Sequence, residues 1–252
     1  MNPEASRNET IVRWAMPAMA SLFAAAVLGG CTGPAGKEAS AAREKGAVTA
    51  QTEKKEGSLM KEHKSGDWSP ELSSQEKETL FAIAKDTLEW SVSGRKGRFP
   101  LDGYTVTPKL SEKCATFVTF KNHGRLRGCI GCLEAVEAMY MSVQRSAANA
   151  ARDFRFAYDP ISPTELPNID IHVSLLSPRK DIKTIGEFVI GRHGICLDKA
   201  GRGAVFLPEV AIEQEWTKEE TLTQLSLKAG LDPDAWREGC RFQVYESVGL
   251  SK

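Results

Sequence analysis

The residue types that could do chemistry gather around Cys129. Arg125, Arg127 and Cys129 are spaced two apart, so all three would share one face of a β-strand. A cysteine attacks as its thiolate, and a neighbouring positive charge lowers the pKa of a thiol. The spacing predicts an anion-binding pocket, with Arg127 as a substrate-binding residue and Cys129 as a catalytic nucleophile.

His193 is the candidate catalytic base for this thiol. It lies beside Gly194, and only four histidines occur in the chain. The chemistry requires a hydrogen bond between thiol and imidazole. A second interpretation stays open, because free cysteine is among the most buried residue types and Cys129 could be a small core residue.

Further charged residues could serve a substrate. Asp153 and Arg155 could form a substrate-binding clamp in which Arg155 binds a carboxylate or a phosphate, or they could be a structural ion pair. Glu209 is either a general acid or base or a solvated charge at a strand end. The basic run at residues 95–98 is expected to be a solvated loop.

Cys129 and Cys132 form a C-x-x-C pair. The pair is either a redox-active dithiol or a structural coincidence, and it lacks the βαβ context of thioredoxin-like motifs. A zinc site would need two more ligands, for which His172 and His193 are available, but no second ligand pair follows. We therefore expect no metal ion and no other cofactor.

The first 30 residues are typical of an export signal. An apolar stretch covers residues 14–30, too short for a stable membrane-spanning helix, and it ends in LGGC at residues 28–31. This ending resembles the lipobox of bacterial lipoproteins, in which the cysteine carries the lipid. The resemblance implies lipidation of Cys31 and a membrane-anchored protein of the cell envelope, with the outer membrane favoured by Thr32. Translation from Met60 would instead leave a cytoplasmic protein.

Composition divides the rest of the chain. Residues 31–70 are rich in small and charged residues and are expected to form a flexible tether. Residues 71–252 are expected to form one globular domain. The whole chain has 41% hydrophobic and 26% charged residues and no net charge, which argues against a multi-span membrane protein and a dominant nucleic-acid binder.

Periodicity predicts the elements that position these residues. A capping box at residues 73–76 begins a helix, and further helices are expected at 135–151 and 217–229. Strands are expected at residues 115–120, 125–130, 169–176, 195–197, 204–207 and 241–245. Strands and helices do not alternate regularly, which favours an α+β fold over a doubly wound sheet.

The segment LRGCIG at residues 126–131 resembles the signature of the AMMECR domain family, named AmmeMemoRadiSam system protein A in bacteria. The resemblance continues over about residues 72–248. Cys132 departs from it, because the family has a small polar residue there. Further matching blocks are DFRF at 153–156, HG at 193–194, LPEV at 207–210, Trp216, KAGL at 228–231 and Trp236.

This resemblance implies a compact α+β domain, with a mixed β-sheet flanked by helices and a smaller β-rich lobe. It implies a MEMO-type protein and a radical-SAM protein as partners, but no particular reaction. Two functions remain: an enzyme-like cleft for a small anionic substrate at Arg127, Cys129 and His193, or a non-catalytic scaffold for these partners. If the three side chains lie together in a preformed cleft, the enzyme function is favoured. If Cys129 is packed in the core, the scaffold function is favoured.

Overall fold

The computed structural model describes residues 60–252. The predicted signal, Cys31 and the tether up to residue 59 lie outside the described residues. The helices are α1 (Ser74–Val92), α2 (Met139–Ala150), α3 (Pro208–Glu213) and α4 (Lys218–Lys228). The strands are β1 (Lys61–Lys64), β2 (Ala115–Asn122), β3 (Arg125–Cys132), β4 (Ile169–Leu176), β5 (Lys180–Ile182), β6 (Gly194–Lys199), β7 (Arg202–Phe206), β8 (Arg241–Tyr245) and β9 (Ser247–Ser251).

Two antiparallel sheets organise these elements. The larger sheet has the order β1-β9-β4-β2-β3, and the smaller one has the order β5-β8-β6-β7. Every pairing between strands of the described residues is antiparallel. The predicted α+β class, with a helix-flanked sheet and a smaller β-rich lobe, is confirmed. The expected mixed sheet is wrong, because strands joined by hairpins and returning connections pair only antiparallel in both sheets of residues 60–252.

The larger sheet separates two hydrophobic clusters. On β4, Ile171, Val173 and Leu175 face the first cluster, which also contains the buried sides of α1 and α2. Leu176 faces the second cluster, which contains the core of the smaller sheet and α4. Cys129 belongs to the second cluster and is 9% exposed. The thiol therefore lies between the two sheets.

The folded part begins earlier than predicted. β1 pairs with β9, with Lys61 opposite Ser251, and the Trp68 amide donates a hydrogen bond of 2.6 Å to the carboxylate of Glu246. A boundary at residue 70 is therefore too late. All four side chains of β1 are exposed, so the strand is held by backbone pairing and leaves no apolar pattern in the sequence.

One helix begins later than predicted, and one helix was not predicted. α2 begins at Met139, whose amide bonds to Glu112, so Val136 is not in the helix and is 53% exposed. The sequence analysis missed α3, a short helix with Pro208 in its first turn, where the absent amide hydrogen costs nothing. The predicted capping box of Ser73 and Glu76 is confirmed. Between residues 60 and 252, no helix is long and apolar enough to cross a membrane.

Candidate functional site

Cys129 lies on β3, the edge strand of the larger sheet, opposite Thr119 of β2. The Thr119 hydroxyl donates a hydrogen bond of 3.1 Å to the Cys129 thiol. Burial raises the pKa of this thiol, although Thr119, Arg155 and Lys228 act in the opposite direction. The expectation of a lowered pKa is therefore wrong, and the resting thiol is protonated near neutral pH.

A β-bulge turns Arg127 away from the thiol. Phe120 pairs with Gly128 and Lys121 pairs with Leu126, so Arg127 is an extra residue on β3. An extra residue reverses the alternation of side chains, and Leu126 packs in the second cluster with Cys129. The predicted shared face of Arg125, Arg127 and Cys129 therefore does not form.

Arg127 is instead part of a compensated ion-pair network. Its side chain is 3% exposed, and its guanidinium lies 2.8 Å from Asp159 and 2.9 Å from Glu165. The Ser162 amide, with Asn122 and Arg127, holds the pKa of Glu165 well below its usual range. The carboxylates of Asp159 and Glu165 already neutralise the Arg127 guanidinium, so its predicted role in substrate binding has no support in this geometry.

Asp153 and Arg155 form the predicted pair, but they hold the backbone of Cys129. The Cys129 amide donates a hydrogen bond of 3.1 Å to Asp153, and Arg155 donates one of 3.2 Å to the Cys129 carbonyl. Arg155 also binds Asp153 through Nε at 3.0 Å. The side chains are 0% and 12% exposed, respectively. The pair thus occupies the free edge of β3 and positions the thiol.

His193 does not meet Cys129. Its Nδ1 atom accepts a hydrogen bond of 3.2 Å from the Val189 amide. Its pKa is lowered, first by burial and then by the charge of Arg192, while Glu246 raises it. The thiol and the imidazole share no hydrogen bond, so the predicted nucleophile–base pair of Cys129 and His193 is not formed.

The C-x-x-C pair cannot close a disulfide without backbone movement. Cys129 and Cys132 are three positions apart on one strand, where the rise separates their Cα atoms by about 10 Å, beyond the usual limit of about 7 Å. All cysteines in residues 60–252 are free. Over the same residues, no group of three or more His, Cys, Asp or Glu side chains could hold a metal ion.

A lysine to which the sequence analysis gave no chemical role acts electrostatically on the thiol. Lys228 ends α4, and its amine donates a hydrogen bond of 2.8 Å to the Val205 carbonyl and lies 4.6 Å from the centre of the Phe206 ring. Burial, with the charge of Arg155, lowers the pKa of Lys228 from 10.5 to about 6. The positive charge of Lys228 lowers the pKa of the Cys129 thiol, and the charge of Cys129 raises the pKa of Lys228.

Glu209 approaches the same thiol from α3. Burial raises the pKa of its carboxyl, and the nearby Glu213 raises it further, whereas His63 and Lys121 act in the opposite direction. The charge of Glu209 acts on Cys129. Within residues 60–252 Glu209 belongs to no ion pair, unlike Arg127.

Comparison with known proteins identifies the chain. The AMMECR1 family model matches residues 81–249, which include Cys129, Glu209 and Lys228. The chain belongs to the AMMECR1 family.

Relatives of this AMMECR1 chain occur in archaea. Protein MK0488 of Methanopyrus kandleri is 34% identical over 188 residues, which are 70% of this chain and 88% of that protein. Protein NEQ441 of Nanoarchaeum equitans is 32% identical over 178 residues, which are 68% of this chain and 96% of that protein. The crystal structure of the uncharacterized protein PH0010 from Pyrococcus horikoshii superimposes with a TM-score of 0.63 at 27% identity, over 70% of this chain and 92% of that one.

The AMMECR1 segment LRGCIG owes its glycines to close packing. A Cβ atom at Gly128 would lie 2.0 Å from the Ala150 carbonyl oxygen, and one at Gly131 would lie 2.2 Å from that of Thr116. These distances are far below van der Waals contact, so any larger residue would push α2 or β2 away from Cys129. The glycines therefore fix the strand that carries the thiol.

Sequence reasoning missed Lys228 as a member of this AMMECR1 site and gave Glu209 little weight. Lys228 follows Cys129 by about a hundred residues, and its KAGL block was interpreted as a helix end. One signal was available, since Lys228 is the last residue of a helix whose buried positions include Leu225. A lysine one turn after a buried leucine extends the buried face of the helix.

Proposed function

We propose that the AMMECR1 domain is an enzyme that uses the Cys129 thiol as a nucleophile and the Lys228 amine as its base. The observation that supports this is that the charges of two half-buried groups, the amine of Lys228 and the carboxyl of Glu209, both act on the buried thiol of Cys129. Ionisable groups whose pKa values are shifted by burial and by one another are often found at functional sites.

The protonation states support the order of events. The raised pKa of the Cys129 thiol means that a base must take its proton before attack. The lowered pKa of Lys228, about 6, leaves a neutral amine that can accept this proton at neutral pH. Transfer of the proton from Sγ to Nζ produces a thiolate beside an ammonium ion. The thiolate then forms a bond to an electrophilic carbon of the substrate, and Glu209 can give a proton to the leaving group.

The substrate class we propose is a small anionic molecule. Lys228 becomes positive as it activates the thiol, and an ammonium group near the sulfur would attract a negative group on the substrate. Arg155 is already paired with Asp153 and is not needed for this attraction. The anionic substrate is therefore expected to bind near Lys228 and not near Arg127 and His193.

Acetyl transfer from p-nitrophenyl acetate to the full chain tests this function. We expect a burst of nitrophenolate, with the acetyl group found on Cys129 by peptide mass spectrometry. Lys228→Met should slow the burst about a hundredfold, in line with the usual contribution of a general base. Cys132→Ser is the matched control and should leave the rate of acetylation at Cys129 unchanged. Acetylation of other residues with Cys129 unmodified would contradict the proposal.

We further propose that the chain is a lipoprotein tethered to a cell-envelope membrane through Cys31. The support is the order of apolar stretch, small residues and cysteine at residues 14–31, and the acyl chains would supply the anchor. Metabolic labelling with palmitate checks this: the parent chain should be labelled and enter the detergent phase, and Cys31→Ser should do neither. An unlabelled parent chain with an intact N-terminus would contradict it.

A scaffold function is the second candidate, and one surface favours it. Tyr158 is fully exposed and Phe154 is 51% exposed. Both lie in a segment held at its ends by the ion pairs of Asp153 with Arg155 and of Asp159 with Arg127. Exposed aromatic side chains on a rigid segment are common at the centres of protein interfaces.

The partners proposed for this surface are the MEMO-type and radical-SAM proteins of the bacterial system that this chain resembles. Calorimetric titration of the full chain with each purified protein tests them. Tyr158→Ala should weaken binding more than tenfold, whereas Cys129→Ser should not alter it. No binding to either protein, or equal loss in both variants, would contradict the scaffold function.

A further inference from the structure

A cavity lies on the helical side of the larger sheet, away from Cys129. It has a volume of about 180 Å³ and is enclosed by the C-terminal half of α1, the C-terminal half of α2 and residues 97–99. At about 30 Å³ per water molecule, this space would hold about six waters or one small ligand. Since Cys129 faces the second hydrophobic cluster, on the other side of the sheet, the cavity belongs to a different surface.

Two polar side chains of this cavity lack a hydrogen-bond partner among the described residues. The hydroxyl of Thr87, a residue that is 0% exposed, has none, and neither does the buried Nε1 atom of Trp90. Gln144, which is 3% exposed, also lines the cavity. Each unpaired buried polar group costs about 1–3 kcal/mol, so two of them around one space favour a polar occupant.

The charges around the cavity have one sign. Arg98, Arg145 and Arg152 line it, and no Asp or Glu does. Arg145 is paired with Glu137 at 2.8 Å, whereas Arg98 and Arg152 form no ion pair within residues 60–252. Both guanidinium groups are open to solvent, and with no carboxylate in the lining they favour an anionic occupant.

The basic run at residues 95–98 is exposed, as predicted, and its last two residues, Gly97 and Arg98, also line the cavity. The guanidinium of Arg95 lies 4.9 Å from the centre of the Trp90 ring, and Phe99 packs against the same ring edge-on at 5.8 Å. These contacts hold the indole in place and bring Arg98 to the cavity mouth. The sequence expectation for this run did not include such a role.

We infer that this cavity is a binding site for a small phosphate-class oxyanion, either free phosphate or a phosphate monoester. A tetrahedral oxyanion offers enough acceptor oxygens for the hydroxyl, the indole N–H, the amide and two guanidinium groups, which approach from both helices and the loop. Guanidinium groups match the geometry of phosphate oxygens with paired hydrogen bonds. The Trp90 and Phe99 rings provide an apolar wall for the organic part of a monoester.

The test is an NMR titration of the full chain, followed through its tryptophan indole N–H signals. The chain has five tryptophans, and Trp90→Phe identifies the signal of interest by its loss. At low ionic strength, inorganic phosphate should shift the Trp90 signal to saturation and leave the other four unchanged. Glycerol 3-phosphate is run in parallel. Tighter binding of the ester identifies a monoester site, and tighter binding of phosphate identifies a site for the free ion.

Variants separate a built site from general attraction. Arg152→Ala should weaken binding about tenfold, because it removes a charge-assisted hydrogen bond. Thr87→Val keeps the shape of the side chain and should weaken binding about fivefold. Lys183→Ala removes an exposed cation outside the cavity and should have no effect. Arg152 is itself exposed, so its variant should fold, which the dispersion of the spectrum verifies.

Three results would overturn the inference. The first is a Trp90 signal that does not saturate below about 20 mM of either phosphate compound, far above the range of useful affinities. The second is an equal shift with sodium acetate at the same ionic strength. The third is a loss of affinity in Lys183→Ala as large as that in Arg152→Ala.

Discussion

The hydroxyl of Thr119 donates a hydrogen bond of 3.1 Å to the sulfur of Cys129. The two residues face each other on β2 and β3, and the backbone of Cys129 bonds outward to Asp153 and Arg155. Opposed residues that do not exchange backbone hydrogen bonds bring their side chains closest together in an antiparallel pair. Asp153 and Arg155 thus hold the backbone of Cys129, and Thr119 holds its thiol.

This arrangement predicts slow alkylation of Cys129. In the native, reduced chain, iodoacetamide at neutral pH should modify Cys132 before Cys129, because Cys132 is partly exposed whereas Cys129 is buried with a raised pKa. Thr119→Val should slow Cys129 further, since it removes a hydrogen bond that stabilises the thiolate, and Thr119→Ser should restore the rate. Peptide mass spectrometry over time measures both rates. Modification of Cys129 ahead of Cys132 would show that the pocket is open.

Lys228 predicts a specific pH dependence of stability. Its pKa is lowered to about 6 in the folded chain, while the unfolded chain keeps a value near 10.5. Between these two pKa values Lys228 is protonated in the unfolded chain but neutral in the folded chain. The free energy of unfolding therefore rises as pH is raised from 6 towards 10.5, and it falls as pH is lowered towards 6. The contribution is about 1.4 kcal/mol per pH unit within that window.

Urea unfolding between pH 7 and pH 9.5 measures this effect. The free energy of unfolding of the parent chain should rise relative to Lys228→Met by about 1.4 kcal/mol per pH unit. Lys183→Met removes an exposed lysine and should run parallel to the parent. A constant difference between the parent and Lys228→Met would mean that the amine keeps its ordinary proton affinity.

The pair of Asp153 and Arg155 predicts a large cost for removing one partner. Asp153→Ala leaves a buried guanidinium without its carboxylate and should destabilise the chain by about 3–5 kcal/mol. The exposed pair of Asp181 and Arg241 offers a matched control, because Asp181→Ala should cost less than about 1 kcal/mol. Urea unfolding at pH 7 compares them, and equal costs would contradict the positioning role of the clamp.

The glycines of β3 predict a steric effect on the site. Gly128→Ala and Gly131→Ala should each cost more than about 2 kcal/mol, because the added methyl group meets backbone oxygen within 2.2 Å. Gly103→Ala is the control, since nothing lies within 4 Å of its added Cβ atom. Thermal unfolding of the three variants measures the difference. A neutral Gly128→Ala would indicate that α2 can move away from β3.

The sequence by itself determined the elements whose causes are local. The capping box of Ser73 and Glu76 and the apolar stripe after it predicted α1, and the alternation at Ile169–Leu176 predicted β4 with its bounds. The LRGCIG segment at residues 126–131 predicted the family and the strand of the thiol. Each of these signals comes from hydrogen bonds or side-chain periods within a few residues of chain.

Only the tertiary structure decided which charges meet the thiol. The bulge at Arg127 depends on the register between β2 and β3, and one extra residue reversed the face that the period of two had predicted. The charge of Lys228 acts on Cys129 because α4 packs against β7, and β1 forms because β9 offers it a free edge. These partners are distant along the chain, and packing between elements, which no local pattern records, brings them together.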